Sequence, residues 1–321
     1  MNSGHPSVSD EIGLDIENIN LGGVSLELVV KNNTKERESS DYIKSWANVS
    51  RGGAAGQMKG CSDDMTSLKN LKFEIVSART VESRKHKKYV AYTVMVRVMD
   101  EMEDSHPAVL ERRYNDFLSL YNALRKDFAI QLSTIPFPKK TIVGNFSPEV
   151  ISSRCTGFEA FLDLIGSTTQ IRCCEAVTSF FQERELIDAL KLIRDKQYYQ
   201  AIPLVENCFW VMNKLQTDRA PAVLRNLCLW MCVIGESGDP CAVGLAGLAV
   251  RRFQGVSDSE LLRYYVPLLS TTIELCRRHE KDAAPLVEHL ESMIRRGIAR
   301  PAAQPLLQML LDDFSNHETT S

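Results

Sequence analysis

Residues 111–117, with the sequence ERRYNDF, constrain the fold most because they join a predicted strand to a predicted helix. Residues 108–113 alternate as a half-buried strand does, and Asn115 is placed to cap the helix that follows. Apolar residues recur at helical spacing in that helix, at Phe117, Leu120, Tyr121, Leu124 and Phe128. Arg112 and Arg113 would then lie beside a positive helix N-terminus, which favours an anion such as phosphate. That they are ordinary surface charges is an open alternative.

A proline-stiffened loop downstream ends in two lysines. Residues 135–140 have the sequence IPFPKK, which places Lys140 at the end of the loop. Ser147 and Pro148 then mark a helix start, with serine as the cap and proline at the first helical position. Arg154 lies inside this predicted helix. The sequence thus offers further cations downstream of the strand-to-helix junction.

These motifs, in this order, resemble the phox-homology (PX) domains of sorting nexins over residues 71–186. The resemblance implies that Arg113 binds the 3-phosphate of a phosphoinositide and that Tyr114 lies under the inositol ring. It also implies that Lys140 binds the 1-phosphate and Arg154 the free ring hydroxyls. Phosphatidylinositol 3-phosphate is then the expected lipid. The family's loop usually contains Pro-Pro-x-x-Pro, whereas residues 136–138 are Pro-Phe-Pro. This departure leaves open a protein-interaction scaffold with a weak or absent lipid site.

Two further strands are predicted before the junction, at residues 71–75 and 90–98, from their alternation of apolar and polar residues. With the strand at 108–113 they form a three-stranded antiparallel meander followed by helices, an α+β fold. The connection between the first two strands is basic and contains Arg84, Lys85, Lys87 and Lys88. These residues form either a secondary contact with anionic lipid, at about 1 kcal/mol per charge, or a solvated hairpin connection.

Ile142 and Val143 are apolar residues in the predicted loop after Lys140. In isolation such residues usually pack into a core. Beside a headgroup site they are better explained as a wedge that inserts into the bilayer. Each would gain roughly 1.5–3 kcal/mol if buried completely in acyl chains.

From residue 183 onward the pattern is almost continuously helical. Apolar helices alternate with short polar turns at a spacing of about 35–40 residues, which is typical of tetratricopeptide-like helical hairpins. A last helix at 302–314 would cap the stack. A PX domain followed by a helical-repeat domain is also the layout of a small subgroup of sorting nexins. The predicted organisation is a largely disordered tail at 1–66, a PX domain at 67–182 and an all-α protein-interaction domain at 183–316.

Composition and the remaining motifs argue against nucleic-acid binding, metal binding and catalysis. A net charge of −3 gives no general affinity for nucleic acid. The 9 cysteines follow no disulfide framework and no signal peptide is predicted, so we expect a reducing cytosolic location. Cys228 and Cys232 are four residues apart, but no second pair completes a metal site, so buried thiols are expected. No catalytic motif is recognised. We therefore expect no enzyme activity, no metal and no cofactor.

The function expected from the sequence is that of a sorting nexin in endosomal protein trafficking. The PX domain would dock on phosphoinositide-bearing membrane, and the helical domain would bind a protein partner or receptor tail. The expected location is cytoplasmic and peripheral, on the cytosolic face of early endosomes and also at the plasma membrane.

Overall fold

A computed structural model describes part of the chain. The described residues are 18–20, 68–83, 86–99, 104, 106–141, 143–298, 300 and 302–318. The predicted disordered tail at 1–66 lies outside them, apart from residues 18–20.

The described strands form one antiparallel sheet in the order β1-β2-β3-β4. They are β1 (Asn18–Asn20), β2 (Leu71–Ser83), β3 (His86–Val98) and β4 (Ala108–Arg113). Strands β2 to β4 are the predicted three-stranded meander, which is confirmed. The short strand β1 pairs with β2 at the sheet edge and was not predicted.

The helices follow the sheet in chain order. Those of the first half are α1 (Tyr114–Leu124), α2 (Ala129–Leu132), α3 (Pro148–Ser167) and α4 (Thr169–Arg172). Those of the second half are α5 (Glu175–Arg194), α6 (Tyr198–Leu215), α7 (Pro221–Glu236), α8 (Cys241–Phe253), α9 (Ser259–Leu262), α10 (Tyr265–Arg278), α11 (Ala284–Arg295) and α12 (Leu306–Glu318). The α+β unit followed by an all-helical region is therefore confirmed.

The start of α1 differs from the prediction that Asn115 caps it. Strand β4 passes directly into the helix, so Arg113, in an extended conformation, is itself the cap residue and Asn115 lies within the first turn. The backbone N–H of Arg113 donates to Oδ2 of Asp116 at 2.8 Å. Asp116 thus satisfies a backbone donor that the helix leaves free. The predicted start of α3 is confirmed, with Ser147 as the cap and Pro148 at the first position.

Aromatic rings pack beneath the junction between β4 and α1. The rings of Phe117 and Phe158 stack with centroids 3.8 Å apart and planes 4° from parallel. Tyr92 on β3 meets them edge-on, at 6.3 Å and 5.1 Å. All three side chains are buried. Such pairs contribute about 0.5–1.5 kcal/mol each beyond their buried area, and these fix α1 and α3 against the sheet.

The helical region consists of hairpins close to those predicted. Helix α5 is followed by α6, α7 by α8 and α10 by α11, each pair across a short turn. A residue in the left-handed conformation reverses the chain in each turn: Lys196 with φ 58°, Gly238 with φ 81° and Glu280 with φ 55°. The last helix, α12, begins at Leu306, later than predicted, and its apolar side packs on α7.

Helix α5 belongs to both halves of the molecule. The predicted boundary between residues 182 and 183 falls inside this helix. Phe180 and Phe181 face the aromatic cluster under the sheet, whereas Ala189 and Leu190 belong to the same continuous core further along. The two halves therefore share one hydrophobic core.

Buried polar contacts also join the halves. Lys214 on α6 pairs with Asp104, between β3 and β4, at 2.7 Å, and each side chain is 4% exposed. The Asn207 side chain accepts from Val109 N–H at 3.1 Å and donates to Val109 C=O at 2.8 Å. Asn207 thus satisfies a backbone position on the free edge of β4, which would otherwise be open to pairing with another chain.

Across the part of the chain that the structure describes, no helix has the length and apolar character of a membrane span. Within the same residues, no group of three or more His, Cys, Asp or Glu side chains is arranged to hold a metal ion.

Candidate ligand-binding site

Arg113 lies where β4 meets the N-terminus of α1, as predicted. Its side chain is 51% exposed, and its Nε lies 3.3 Å from Oδ1 of Asp116. It also lines an open cleft of about 700 Å³ between α1 and α5, together with Ser119, Glu183 and Arg184 among others. Arg113 is thus an accessible cation at a helix N-terminus, and its exposed ion pair with Asp116 contributes about 0–1 kcal/mol.

Arg112, its neighbour, is not a surface charge. The side chain is buried and pairs with Glu185 of α5 through two hydrogen bonds, of 2.6 Å and 2.7 Å. Its Nε donates to the backbone oxygen of Phe180 at 2.7 Å. Because its charge is neutralised inside the protein, Arg112 holds α5 to the sheet and is not available to a ligand.

Tyr114 and Arg154 are brought together, as the resemblance implied. The guanidinium of Arg154 lies 4.4 Å from the centroid of the Tyr114 ring, within the range of a cation–π contact. The Tyr114 hydroxyl donates to the backbone oxygen of Pro138 at 2.9 Å. Burial raises the pKa of Tyr114, and the charge of Arg154 acts in the opposite direction. Tyr114 is therefore a neutral ring that supports a cation and a loop.

The environment of Arg154 is unusual for a buried cation. The residue is 4% exposed, and its Nη2 donates to Thr141 Oγ1 at 3.0 Å and to Asn145 Oδ1 at 2.7 Å. Its Nε is buried without a hydrogen-bond partner among the described residues. Nor does any described carboxylate form an ion pair with it, unlike the arrangement at Arg112. Buried Arg172 also has no ion pair with a described carboxylate, but it donates to backbone oxygens through all three of its nitrogens.

The hydroxyl of Tyr92 lies beneath the same place. Tyr92 is completely buried, and its hydroxyl interacts with the Arg154 side chain. Burial raises its pKa, while the Arg154 guanidinium acts to lower it. The Nε donor of Arg154 stays without a hydrogen bond among the described residues, and an unused donor on a buried positive charge is rare unless a site has a further occupant.

Lys139 and Lys140 follow a loop that is anchored firmly. The ring of Phe137 stacks on Tyr121 with centroids 4.4 Å apart. Pro138 lies against Gly157 on α3, where an added Cβ would come within 2.4 Å of the proline ring. Both lysines are exposed at the end of this loop. Tyr121 and Gly157 were not recognised from the sequence as supports of the site, because only the folded loop brings Pro138 and Phe137 to them.

The predicted wedge is described only in part. Val143 is 86% exposed, and Phe146, three residues on, is 41% exposed. The Nζ of Lys88 lies 5.5 Å from the centroid of the Phe146 ring, which places the basic hairpin connection beside this loop. Ile142, Arg84 and Lys85 lie outside the described residues, as does the side chain of Lys87.

The cations differ in how far the protein itself neutralises them. Lys88 forms an exposed ion pair with Glu82 at 2.6 Å, and Arg113 pairs with Asp116. Lys140 has neither a hydrogen bond nor an ion pair with any described residue. Arg154 is therefore the buried charge, and Lys139 and Lys140 are the exposed ones, that an anionic ligand would compensate most.

Comparison with known proteins shows the family to which the chain belongs. The family model of the PX domain matches residues 100–184. Sorting nexin-20 of Rattus norvegicus is 34% identical over 233 residues, which are 72% of this chain and 73% of that protein. Sorting nexin-21 of Homo sapiens is 29% identical over 245 residues, 75% of this chain and 64% of that protein. The X-ray structure of a designed CISK-PX domain is 25% identical, covers 34% of this chain and 96% of its own, and gives a TM-score of 0.29. The chain therefore belongs to the sorting nexins that carry a PX domain, with sorting nexin-20 and sorting nexin-21 among its relatives.

Proposed function

We propose that this sorting nexin binds phosphoinositide on endosomal membranes through its PX domain and recruits a protein partner through its helical region. The preferred lipid in this proposal is phosphatidylinositol 3-phosphate. Arg113 binds the 3-phosphate, Lys140 the 1-phosphate and Arg154 the ring hydroxyls, while Tyr114 supports the inositol ring. The membranes concerned are early endosomes and the plasma membrane.

One observation carries the proposal: among the described residues, Arg154 is buried with no acidic partner and with its Nε donor unused. Removing a charge from water costs several kcal/mol, and proteins usually offset that cost with a carboxylate or a full set of hydrogen bonds. Arg154 has neither among the described residues. A polyhydroxylated, anionic ligand would supply both the missing acceptors and the compensating charge.

The surface around Arg154 suits a membrane rather than a free phosphate. Val143 is an exposed apolar side chain in the same loop, and exposed Lys139 and Lys140 precede it. Lysines near an anionic bilayer each add about 1 kcal/mol of attraction, and apolar side chains add more if they enter the acyl region. Headgroup recognition and surface attachment would then act together.

Binding of the full chain to liposomes tests the proposal. Vesicles that carry each phosphoinositide in turn are compared, with the parent and with Arg113→Ala. We expect selective binding by the parent and a loss of about tenfold or more in Arg113→Ala, because a charge-assisted contact contributes about 1.5–3 kcal/mol. Arg125→Ala is the matched control, since Arg125 is an exposed arginine at the opposite end of α1. Equal affinity of Arg113→Ala and the parent would disprove the assigned site.

A protein-interaction scaffold with a weak lipid site is the second candidate. The observation that favours it is the pair of hydrogen bonds by which Thr141 and Asn145 already hold Arg154. The same liposome panel separates the two candidates. Weak binding without preference among the phosphoinositides would favour the scaffold.

A further inference from the structure

Thr141 and Asn145 hold Arg154 through a small closed network. Nη2 of Arg154 donates to Thr141 Oγ1 at 3.0 Å and to Asn145 Oδ1 at 2.7 Å. The Thr141 hydroxyl donates to the same Asn145 oxygen at 2.6 Å, and Asn145 Nδ2 donates to the Thr141 backbone oxygen at 3.0 Å. The two acceptor roles of the oxygen and the donor role of the nitrogen fix the orientation of the Asn145 amide.

These contacts give the Arg154 guanidinium the same kind of hydrogen-bond acceptors that the inositol ring of a bound headgroup would give it. A hydroxyl and an amide oxygen are neutral acceptors, as ring hydroxyls are, and they lie at hydrogen-bond distance from the arginine assigned to those hydroxyls. They bring no negative charge, so the cation stays uncompensated. A phosphorylated ligand offers the same acceptors and the missing charge as well. It can therefore replace Thr141 and Asn145 with a net gain.

We propose that Thr141 and Asn145 form a clamp on Arg154 that closes the ligand site, and that a phosphoinositide headgroup must displace this clamp to bind. The inference rests on the proposed function of the site. It goes beyond that function because it states that, without ligand, Thr141 and Asn145 of the same chain occupy the hydrogen-bonding positions of the headgroup.

Displacing the clamp also moves the apolar tip of the loop. Thr141 and Asn145 lie on either side of Val143 in the chain, and Gly144 between them adopts a left-handed φ of 79°. When Arg154 releases them, the segment that carries Val143 loses its attachment to α3. Insertion of Val143 into a bilayer favours this released state. By reciprocity, membrane contact then favours headgroup binding and headgroup binding favours insertion.

The clamp is tested in the full chain with Thr141→Val and Asn145→Ala, each of which removes an acceptor for Arg154. The probe is a soluble short-chain phosphatidylinositol 3-phosphate, which requires headgroup recognition but no insertion. We expect each variant to bind about tenfold more tightly than the parent, because the headgroup no longer has to break a hydrogen bond to a charged group. Thr156→Val is the matched control. Its hydroxyl is exposed on the same helix as Arg154 and bonds to the Ser152 backbone oxygen.

Amide hydrogen exchange without lipid gives a second, independent measurement. Asn145→Ala should speed exchange in residues 143–147, and Thr156→Val should not. Unchanged or weaker headgroup binding by both clamp variants, with selective binding by the parent, would overturn the clamp and leave the proposed function intact. Absence of headgroup binding by the parent and by every clamp variant would instead remove the proposed function, and the gating with it. If Asn145→Ala binds the soluble headgroup and the parent does not, the clamp is supported, because the substitution would have opened a site that is closed in the parent.

Discussion

Arg112 and Arg113 are adjacent in the chain, yet their side chains perform different tasks. Strand β4 turns alternate side chains to opposite faces, so Arg112 points inward to Glu185 and Arg113 points outward at the start of α1. Removing one partner of a buried, doubly hydrogen-bonded ion pair is strongly destabilising, whereas an exposed ion pair contributes little to the free energy of folding. The two adjacent positions therefore differ in what they contribute to the fold, and only Arg113 is left accessible to a ligand.

The first prediction compares these two arginines. Arg112→Ala should lower the free energy of unfolding by about 3–5 kcal/mol, because Glu185 is left without its partner beside the core. Arg113→Ala should lower it by less than about 1 kcal/mol. Urea unfolding of both variants followed by circular dichroism measures the difference. Similar losses in the two variants would show that the buried pair does not hold α5 to the sheet.

At the scale of residues, the sequence predicted where a residue lies in a strand or helix better than it predicted the burial and contacts of the side chain. The junction at Arg113 and the helical position of Arg154 follow from local spacing and were predicted correctly. Asn115 was expected to cap α1, but the strand enters the helix without a linker, so the cap falls on Arg113. Arg154 is held by hydrogen bonds to Thr141 and Asn145, and no local sequence pattern encodes those contacts.

At the scale of elements, the loop between α2 and α3 combines a rigid base with an exposed tip. Pro138 is fixed by the Tyr114 hydroxyl and by its close approach to Gly157. Val143 beyond it is almost completely exposed. A rigid base orients the tip at low entropic cost, so in the proposed bilayer contact an apolar tip would contribute most of its burial energy.

The second prediction concerns this tip. Val143→Asp should weaken binding to liposomes about tenfold or more, because a charge replaces an apolar group that would gain about 1.5–3 kcal/mol in the acyl region. Binding to a soluble headgroup should change little. Ile298→Asp is the control, since Ile298 is exposed in the helical region. An equal loss in both assays would mean that Val143 supports the site rather than the bilayer contact.

The third prediction concerns Asp104, which connects the segment between β3 and β4 to α6. Burial acts to raise the pKa of Asp104, but hydrogen bonds from Lys214 and from the Val98 and His106 N–H groups outweigh it and hold the pKa below its usual value. A carboxyl with a lowered pKa in the folded state stabilises the fold fully above its unfolded pKa of about 3.9. That contribution is lost as the pH falls through the folded pKa.

We therefore expect the free energy of unfolding to decline below about pH 4, and to decline less steeply in Asp104→Asn. At pH 7 the same variant should be less stable by about 3–5 kcal/mol, since Lys214 loses its buried ion pair with Asp104. Urea unfolding across pH 3–7 measures both effects. The double variant Asp104→Asn/Lys214→Met is the control and should recover part of the stability. An identical pH dependence in the parent and Asp104→Asn would contradict the assignment.

At the scale of the whole molecule, the contacts that join the two halves were beyond local sequence analysis. Asp104 and Lys214 are separated by 110 positions in the chain, and Val109 and Asn207 by 98. Helical periodicity predicted each hairpin of the second half because its apolar positions repeat locally. It could not show that α5 belongs to both halves, since Phe180 of that helix packs on the aromatic cluster under the sheet whereas Leu190 lies further along the same core.

The last prediction follows from this shared helix. The full chain should melt in one cooperative transition, because the aromatic cluster under the sheet and the helical hairpins bury one continuous core. A fragment of residues 68–182 should be far less stable than one of residues 68–194. Only the longer fragment keeps Glu185 as the partner of Arg112 and completes α5.

Calorimetry of the full chain and of both fragments decides between a fused and a modular molecule. The full chain should have the highest melting temperature, the fragment 68–194 a lower one and the fragment 68–182 the lowest. The longer fragment remains below the full chain because it lacks Lys214 for Asp104 and Asn207 for the edge of β4. Two separate transitions in the full chain, with one matching the melting of 68–182, would show that the PX domain folds independently. The domain boundary at residue 182 would then be the physical one, despite the helix that crosses it.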